Sequence, residues 1–308
     1  MAFSHEPVLL REVLELAAAV APRRIVDCTV GGGGHAAALL SAFPGAQLLG
    51  IDRDPAAVAA ATERLRPFGG RARVVHGRFS AVAELTAAFS FEAVDLLLAD
   101  LGVSSHQLDT PARGFSFRAV ADLDMRMDPT HEVPVRELIA DLDLDELARI
   151  IRDYSEERHA GRVARAIKAA QPQTTDALAS AVRRVVPKSR DGLDPATRTF
   201  QALRMLVNQE PEELQSWLRV LPQILADGGV AVAISFHSIE DRAVKLAFRQ
   251  AAKGCVCPPS LPVCRCGRAP TLKVLTTRAV RVKSDESAKN PRSESARMRA
   301  AVRLPRGS

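Results

Sequence analysis

Residues 25–52, IVDCTVGGGGHAAALLSAFPGAQLLGID, decide the fold of this chain. An apolar strand at 25–28 leads into four glycines at 31–34, a helical run follows, and a second strand at 47–51 ends at Asp52. Glycine permits a sharp turn and close approach to a ligand, and the helix start beyond it presents free N–H groups. An acid about 20 residues after such a turn binds a ribose hydroxyl in doubly wound proteins. The stretch therefore predicts a site for a nucleoside-bearing cofactor rather than a bare strand-to-helix turn.

Asp27 helps to distinguish two classes of cofactor. The pattern Gly31-x-Gly33-x-x-Ala36 fits the dinucleotide fingerprint, which is a weak signal when it stands alone. However, Asp27 lies four residues before the first glycine, and D-x-x-x-G-x-G resembles the S-adenosylmethionine (SAM) loop of class I methyltransferases. Carboxylates attract the sulfonium and ammonium groups of SAM and repel a pyrophosphate. SAM is therefore the favoured cofactor, and a nicotinamide-dependent oxidoreductase is the alternative.

Length and composition predict a globular protein with more than a minimal domain. A chain of 308 residues suits one large domain with an insertion, or two domains. The apolar content of 47% supports a hydrophobic core, and no apolar run approaches the ~20 residues that span a bilayer. The first six residues lack the basic and apolar regions of a signal peptide. We expect a cytoplasmic protein without a membrane partner.

The charge of the chain is unevenly distributed. Residues 242–308 contain 16 Lys/Arg and 3 Asp/Glu, a balance of +13, whereas the remaining 26 basic and 33 acidic residues give −7. A basic quarter on an otherwise acidic protein indicates a polyanionic partner, most simply a nucleic acid. A solubilising face with a partly disordered tail would show the same bias, and charge alone does not separate the two.

Four of the five cysteines form the pattern C-x-C-x6-C-x-C at Cys255, Cys257, Cys264 and Cys266. Clustered cysteines in a cytosolic chain indicate metal binding more often than disulfides. This spacing differs from the common C-x2-C knuckles, so a zinc site stays open, and reduced, unliganded thiols are the favoured interpretation.

The alternation of strands and helices predicts an α/β fold with a parallel sheet and an inserted all-helical domain. The resemblance of the glycine loop to that of class I methyltransferases implies that this sheet is the Rossmann-like sheet of that class. Strands are predicted at 25–28, 47–51, 73–76, 94–99 and 230–235. Helices between them are predicted at 7–20, 36–40, 56–65, 81–89 and 211–226. Helices alone are predicted near 135–142, 143–152, 157–170, 174–186 and 196–207. The predicted domains are a SAM-binding domain at 1–108 and 208–308, and a helical insertion at 109–207; residues from about Arg303 resemble a linker.

Asp100 follows the strand at 94–99, which is apolar except for Asp95. In open α/β sheets, ligands bind at the carboxyl ends of the strands. The position therefore predicts an Asp100 side chain that meets a cationic or amine group, although aspartate also caps loops in this way.

Motifs along nearly the whole chain closely resemble those of the bacterial small-subunit (16S) ribosomal RNA cytosine-N4 methyltransferases. These motifs are HEPVLL at 5–10, GGH at 33–35, IDRD at 51–54, GRFS at 77–80, DLGVSSHQ at 100–107, GFSF at 114–117, LDMRMD at 123–128, SFHSIEDR at 235–242 and NPRS at 290–293. So many separate motifs in the family's order make the resemblance specific.

The resemblance implies particular cofactor contacts in this chain. They are Gly33, Gly34, His35, Asp52, Phe79, Asp100 and Gln107. The chemistry is consistent with these roles: the glycine backbone can approach the methionine end, a carboxylate can accept both ribose hydroxyls, and Phe79 can lie against adenine. Gln107 offers both a donor and an acceptor. The resemblance also implies that residues 109–207 help to hold RNA.

The implied reaction transfers a methyl group from SAM to cytosine N4 in the decoding region of 16S ribosomal RNA, within the small subunit. Positioning supplies most of the acceleration in such a displacement. Asp100 is the first candidate for the group that accepts a hydrogen bond from N4. Phe236 and His237 are candidates for stacking on the base, although such residues at a strand end are often structural.

Basic residues in the predicted helical insertion bear on RNA binding. Arg158, Arg162, Arg165 and Lys168 have helical spacing and predict a basic stripe, which faces either phosphate or solvent. A ribosome-assembly factor that binds RNA without catalysis is a further alternative, although intact glycines and acids disfavour it.

Overall fold

The structure, a computed structural model, describes residues 7–188, 192–253, 255–258 and 260–305. His5 of the HEPVLL motif lies outside the described residues. The chain divides into two compact units. The first unit consists of Met1–Gly102 and Glu212–Ser308, and the second unit is Val103–Pro211.

The first unit contains a mixed β-sheet. Its strands are β1 (Arg24–Asp27), β2 (Gln47–Asp52), β3 (Ala72–His76), β4 (Val94–Asp100), β5 (Leu225–Ser235), β6 (Leu272–Val274), β7 (Val280–Arg281) and β8 (Arg297–Arg303). The strand order is β3-β2-β1-β4-β5-β8-β6, and β7 pairs with β8. Strands β1 to β5 are mutually parallel, and β8 is antiparallel to β5, β6 and β7.

The order of the parallel strands creates a site for a ligand. From β1 the chain moves outward through β2 and β3, then returns to the other side of β1 as β4. Ligands of open α/β sheets bind at this reversal, outside the carboxyl ends of the strands. The predicted fold class, α/β with a Rossmann-like sheet and a helical insertion, is confirmed.

Helices surround the sheet and build the second unit. In the described residues the α-helices are α1 (Leu10–Val20), α2 (Gly34–Ala42), α3 (Pro55–Leu65), α4 (Val82–Ala88), α5 (Ser105–Asp109), α6 (Val135–Asp141), α7 (Leu144–Ser155), α8 (Ala160–Ala170), α9 (Thr175–Arg183), α10 (Ala196–Val207), α11 (Glu210–Ile224), α12 (Ser238–Lys253) and α13 (Ser284–Lys289). None of these helices has the length and apolar character needed to cross a membrane.

Local sequence explains where several helices begin. The Asp54 side chain accepts a hydrogen bond from the Ala56 N–H at 3.0 Å, and proline occupies the first turn of α3. Helix α1 begins three residues later than predicted, because Leu9 has φ 54° and its N–H donates to Glu286 Oε1 at 2.8 Å. A left-handed residue cannot lie inside a right-handed helix.

Alternate residues of β4 enter two different cores, one on each face of the sheet. Leu96 and Leu98 join α1 and α2 in one core, whereas Leu97 and Ala99 join α11 and α12 in the other. The largest residue of the second core is Trp217, which is fully buried. A strand covered on both faces reads as a continuous apolar run, which is why β4 was recognisable.

The last strands were not predicted, and the expected linker near Arg303 is wrong. Arg303 is the final residue of β8 and pairs with Leu272 of β6. Strand β8 also joins α12, because buried Asp241 accepts hydrogen bonds from Arg299 at 2.6 and 3.1 Å. Arg297 lies 3.4 Å from the same carboxylate.

The second unit is built from helices around one apolar core. Among its described residues (103–188 and 192–211), only an isolated bridge between Asp122 and Thr174 has β character. The side chain of Asn208 fixes the segment that carries the LDMRMD motif, donating to Met125 O at 2.9 Å and accepting from Met127 N–H at 2.7 Å. The Met125 and Met127 side chains enter the core.

Candidate active site

Side chains predicted from separate motifs follow the carboxyl ends of neighbouring strands. Asp27 ends β1, Asp52 ends β2 and Asp100 ends β4. Phe79 comes shortly after β3, and Phe236 directly after β5. Because these five strands are parallel, all of these positions lie along one edge of the sheet, at the strand-order reversal.

The glycine loop holds Asp52 in a fixed orientation. The Gly31 N–H donates to Asp52 Oδ2 at 2.8 Å, and the Asp54 N–H donates to Oδ1 at 2.9 Å. Gly31 has φ +52°, a conformation that L side chains rarely adopt. Each carboxylate oxygen keeps a lone pair, so this arrangement is compatible with the predicted acceptance of ribose hydroxyls.

Gly33 and Gly34 are required by packing within the first unit itself. A Cβ atom at Gly33 would lie 3.3 Å from Ala61 Cα, and one at Gly34 would lie 2.7 Å from Pro7 Cγ. Gly33 also has φ +76° and precedes the first residue of α2. The glycines therefore let the loop pack against α3 and the N-terminal segment, a reason that the sequence analysis did not identify.

His35 is a neutral residue beside the acids. Its Nε2 donates to Val8 O at 3.0 Å, which leaves Nδ1 as an acceptor 4.0 Å from Asp100 Oδ2. Burial lowers the pKa of His35 to about 4. His35 therefore does not neutralise the Asp100 carboxylate at neutral pH.

Asp100 has an acceptor atom with no hydrogen-bond partner. Its backbone N–H donates to Thr29 Oγ1 at 2.7 Å, which fixes the residue beside the glycine loop. Its Oδ1 atom is buried and forms no hydrogen bond with any described residue. Burial, and then the charges of Asp27 and Glu240, raise the pKa of Asp100 well above its usual value.

The pKa values of the other two strand-end acids, Asp27 and Asp52, are also raised. Burial raises the pKa of Asp27 to about 7, with the charge of Asp52 adding to the shift, and it raises the pKa of Asp52 to about 6. Three buried acids with raised pKa values favour a cationic ligand, because a positive charge stabilises their ionised forms. The donor set therefore fits SAM, which carries sulfonium and ammonium groups, and does not fit a pyrophosphate.

The residues on either side of Phe79 are held by Glu213, which the sequence did not mark as a site residue. Phe79 begins a 3-10 turn, and the adjacent Ser80 N–H donates to Glu213 Oε2 at 3.2 Å. Arg78 donates to the other oxygen of Glu213 at 3.3 Å. Glu213 lies on the amphipathic helix α11, where a glutamate normally indicates a solvent-facing side, so the sequence carried no signal for this role.

Phe236 and His237 both have structural contacts. The Phe236 N–H donates to Glu240 Oε2 at 3.0 Å, and His237 Nε2 lies 3.1 Å from Glu240 Oε1. A Cβ at Gly102, which has φ +92°, would lie 3.7 Å from the Phe236 ring. Stacking of this pair on a base stays a prediction.

Gln107 lies in the second unit, on α5, and its known contacts belong to a helix cap. Its N–H donates to Ser104 Oγ at 3.2 Å, and its Oε1 accepts from the Ser104 N–H at 3.0 Å. This capping box fixes a largely buried side chain. A cofactor contact by Gln107 stays a prediction.

Comparison with known proteins determines the family. Residues 2–304 match the MraW methylase family. The chain belongs to that family. It is 48% identical over 308 residues to the ribosomal RNA small subunit methyltransferase H of Anaeromyxobacter sp. (strain K), covering 98% of each chain. It is 45% identical over 314 residues to the protein of the same name from Symbiobacterium thermophilum, covering 100% of this chain and 99% of the relative.

A solved structure resembles this one only distantly. An O-methyltransferase from Bacillus cereus in complex with SAH has a TM-score of 0.45 and 8% identity, covering 98% of this chain and 84% of that chain. The family assignment depends on the sequence matches and not on this likeness. The family assignment confirms the predicted methyltransferase class, with SAM as methyl donor, and excludes the nicotinamide-dependent oxidoreductase.

Proposed function

We propose that this chain methylates the exocyclic N4 of a cytidine in the decoding region of 16S ribosomal RNA, using SAM. The names of the relatives support the small-subunit ribosomal RNA as substrate, and the motif resemblance supports the base and the region. One observation carries the chemistry: the Asp100 Oδ1 atom is buried and has no hydrogen-bond partner among the described residues, at the strand-order reversal beside the glycine loop. An acceptor in that position suits an amine substrate.

Asp100 acts on the amine nitrogen of the base. When bound, SAM supplies an electrophilic methyl group. The N4 lone pair of cytosine is conjugated with the ring, and Oδ1 of Asp100 accepts a hydrogen bond from an N4 proton, which localises that lone pair. As the carbon–nitrogen bond forms, the methyl–sulfur bond of the sulfonium breaks to leave a neutral thioether, and one N4 proton is released to solvent. Asp100 remains a hydrogen-bond acceptor throughout, and orientation supplies about 7–11 kcal/mol of the barrier reduction.

The remaining site residues hold the cofactor. Asp52, fixed by the Gly31 and Asp54 N–H groups, accepts the ribose hydroxyls. The backbone of Gly33, Gly34 and His35 faces the methionine end of the cofactor, and Phe79 lies against adenine. Gln107 contacts polar cofactor atoms, and Phe236 with His237 stacks on the target base.

The second unit recognises the RNA. Arg162 and Arg165 are exposed and lie three residues apart on α8, so they point to one side of it. Arg158 is also exposed and precedes the N-cap residue of this helix. Lys168 does not continue the stripe, since its Nζ donates to Ile139 O at 2.8 Å and Ala140 O at 3.0 Å at the end of α6. We place the reaction on the small subunit in the cytoplasm.

Methyl transfer to isolated small subunits tests the proposal. Subunits from cells that lack this protein are incubated with labelled SAM, and the ribosomal RNA is digested to nucleosides and mapped by mass spectrometry. We expect N4-methylcytidine at one decoding-region position. Asp100→Ala should lower the rate about 100-fold or more, because the hydrogen bond that positions N4 and localises its lone pair is lost.

Controls separate catalysis from folding. Asp100→Asn keeps the volume of the side chain, and Glu63→Gln changes an exposed acid of α3 and should leave the rate unchanged. Circular dichroism and SAM titration are recorded for each variant. Label in another nucleoside, or full activity of a folded Asp100→Ala variant, would overturn the proposal.

A further inference from the structure

The segment between α12 and β6 spans residues 254–271, and none of its described residues is buried. None of its described residues (255–258 and 260–271) belongs to a helix or strand. Apolar side chains in it face solvent, with Val263 69% exposed and Val256 47% exposed. A segment of this length without apolar burial needs another source of order if it is to hold one conformation.

The four cysteine sulfurs of this segment converge. Cys264 Sγ lies 3.4 Å from Cys255 Sγ, 3.9 Å from Cys257 Sγ and 3.4 Å from Cys266 Sγ, and all four sulfurs lie within 4.8 Å of one another. A disulfide has sulfurs about 2.05 Å apart, so these pairs are not bonded. Four sulfurs at about 2.3 Å from a tetrahedral zinc ion stand about 3.8 Å apart, which is close to the spacings observed.

The C-x-C spacing explains how two short motifs supply four ligands. In extended chain, residues two apart point to the same side. Val256 and Arg265 are the intervening residues and are exposed or partly exposed, while the cysteines on either side of each point toward the cluster. This geometry differs from that of a C-x2-C knuckle and still brings four thiols to one point.

A backbone donor already points at one of the sulfurs. The Arg265 N–H donates to Cys257 Sγ at 3.4 Å. Hydrogen bonds of this kind orient the ligands of metal sites and stabilise thiolates.

We propose that Cys255, Cys257, Cys264 and Cys266 bind one structural zinc ion, which orders the segment between α12 and β6. Each thiol loses a proton to solvent and forms a zinc–sulfur bond. Four thiolates fill the tetrahedral coordination of zinc and leave no position for water or substrate, so the site is structural. The structure thus favours a metal over the unliganded thiols that the sequence spacing favoured.

Metal content of the full chain tests the site. Protein purified without chelators or added metal is measured by elemental mass spectrometry, and we expect about one zinc per chain. Exchange of zinc for cobalt should produce a thiolate-to-cobalt charge-transfer band and visible bands of tetrahedral cobalt. X-ray absorption should show four sulfur neighbours at about 2.3 Å.

Two cysteine variants compare the loss of a cysteine inside the cluster with the loss of a cysteine outside it. Cys264→Ser removes the sulfur closest to the other three and should abolish stoichiometric zinc. Cys28→Ala removes the cysteine outside the cluster, which is buried, and should retain one zinc. Removal of zinc should accelerate proteolysis within 254–271 while the circular dichroism of the sheet and helices persists.

Three results would overturn the proposal. The first is wild-type protein that contains no metal and whose four cluster thiols react at once with an alkylating agent. The second is the detection of disulfides within the cluster by peptide mapping. The third is a zinc content of Cys264→Ser that equals that of the wild type. If Cys264→Ser does not fold, the zinc content, cobalt spectrum and thiol reactivity of the wild-type chain decide the question.

Discussion

At the scale of single residues, the buried acids show a conflict between stability and function. Asp27, Asp52 and Asp100 lie at neighbouring strand ends, and burial raises the pKa of each of them. A folded protein gains nothing from ionised carboxylates in such an environment. A cationic ligand changes this balance, because it stabilises all three charges together, and groups of this kind concentrate at functional sites.

Replacing Asp27 with asparagine should stabilise the ligand-free protein at high pH. The carboxyl has a pKa of about 7 in the folded state against 3.8 when unperturbed. The folded state therefore binds more protons across this window, and the free energy of unfolding of the wild type falls as pH rises through it. The free energy of unfolding of Asp27→Asn should not fall in this way, because asparagine does not titrate. The variant retains an oxygen for the hydrogen bond that the Thr29 N–H donates.

Urea unfolding at pH 5 and pH 8 measures the difference. We expect the free energy of unfolding of Asp27→Asn to exceed that of the wild type by up to about 4 kcal/mol at pH 8, and by much less at pH 5. SAM should bind the variant more weakly, since a carboxylate is lost. Asp153→Asn, at an exposed acid of α7, should show neither effect. A pH-independent difference would show that Asp27 does not titrate in this window.

At the scale of elements, periodicity and burial determined what was predictable. The parallel strands and the helices that flank them carry clear signals, since β4 has an unbroken apolar run from Leu96 to Ala99 and α7 is strongly amphipathic. Strands β6 and β7 have three and two residues, too few for any periodicity to be detected. In β8, arginines alternate with apolar residues, but Arg299 is buried against Asp241, a contact 58 residues away in sequence.

The candidate site was predictable to the extent that residues follow strands. Asp52 and Asp100 were identified from their positions after apolar strands, and the structure places both at the same edge. Thr29 and Glu213 were not identified from the sequence, because their contacts join distant segments. Thr29 Oγ1 accepts a hydrogen bond from the Asp100 N–H, and Glu213 accepts one from the Ser80 N–H. Such pairs have no local pattern.

Gly50 allows the glycine loop to pack on β2, so alanine there should damage both stability and cofactor binding. A Cβ at Gly50 would lie 2.9 Å from Val30 Cγ2, and the Val30 N–H donates to Ile51 O at 2.9 Å. Overpacking of this kind costs about 1–3 kcal/mol. We expect Gly50→Ala to lower the free energy of unfolding by that amount and to weaken SAM binding in calorimetric titration, because Val30 precedes Gly31.

Gly45→Ala is the matched control for this change. No described atom outside its own neighbourhood lies within 4 Å of a Cβ at Gly45. Its free energy of unfolding should stay within about 0.5 kcal/mol of the wild type or rise slightly. Equal effects of the two substitutions would contradict the packing role of Gly50.

The contact between α12 and β8 depends on one buried ion pair. Arg299 and Asp241 have side chains 9% and 10% exposed. Asp241→Ala leaves a buried guanidinium without its carboxylate, which should lower the free energy of unfolding by about 3–5 kcal/mol in urea. Glu63→Ala breaks an exposed pair with Arg66 and should cost about 0–1 kcal/mol. A similarly small loss for Asp241→Ala would mean that β8 does not depend on this pair.

At the scale of the whole molecule, the charge asymmetry corresponds to exposed residues. The C-terminal quarter carries a balance of +13, and basic residues such as Lys273, Arg278, Arg281 and Lys283 are exposed in it. Arginines 297 and 299 of the same quarter are partly or fully buried against Asp241 and do not contribute to that surface. The exposed surface therefore suits contact with an RNA backbone.

Reversal of two of these charges should weaken RNA binding without affecting the cofactor site. We expect the double variant Arg278→Glu with Arg281→Glu to bind small-subunit RNA less tightly. If both residues contact phosphate, the slope of log affinity against log salt should fall by about 2. Fluorescence anisotropy at several salt concentrations measures the slope, and calorimetry should show unchanged SAM affinity.

Arg11→Glu with Arg66→Glu makes the same change in net charge at exposed positions outside the basic quarter. Because net charge alone would weaken both double variants equally, an equal loss would contradict a local RNA contact, whereas a loss confined to the first variant assigns the RNA backbone to the basic quarter.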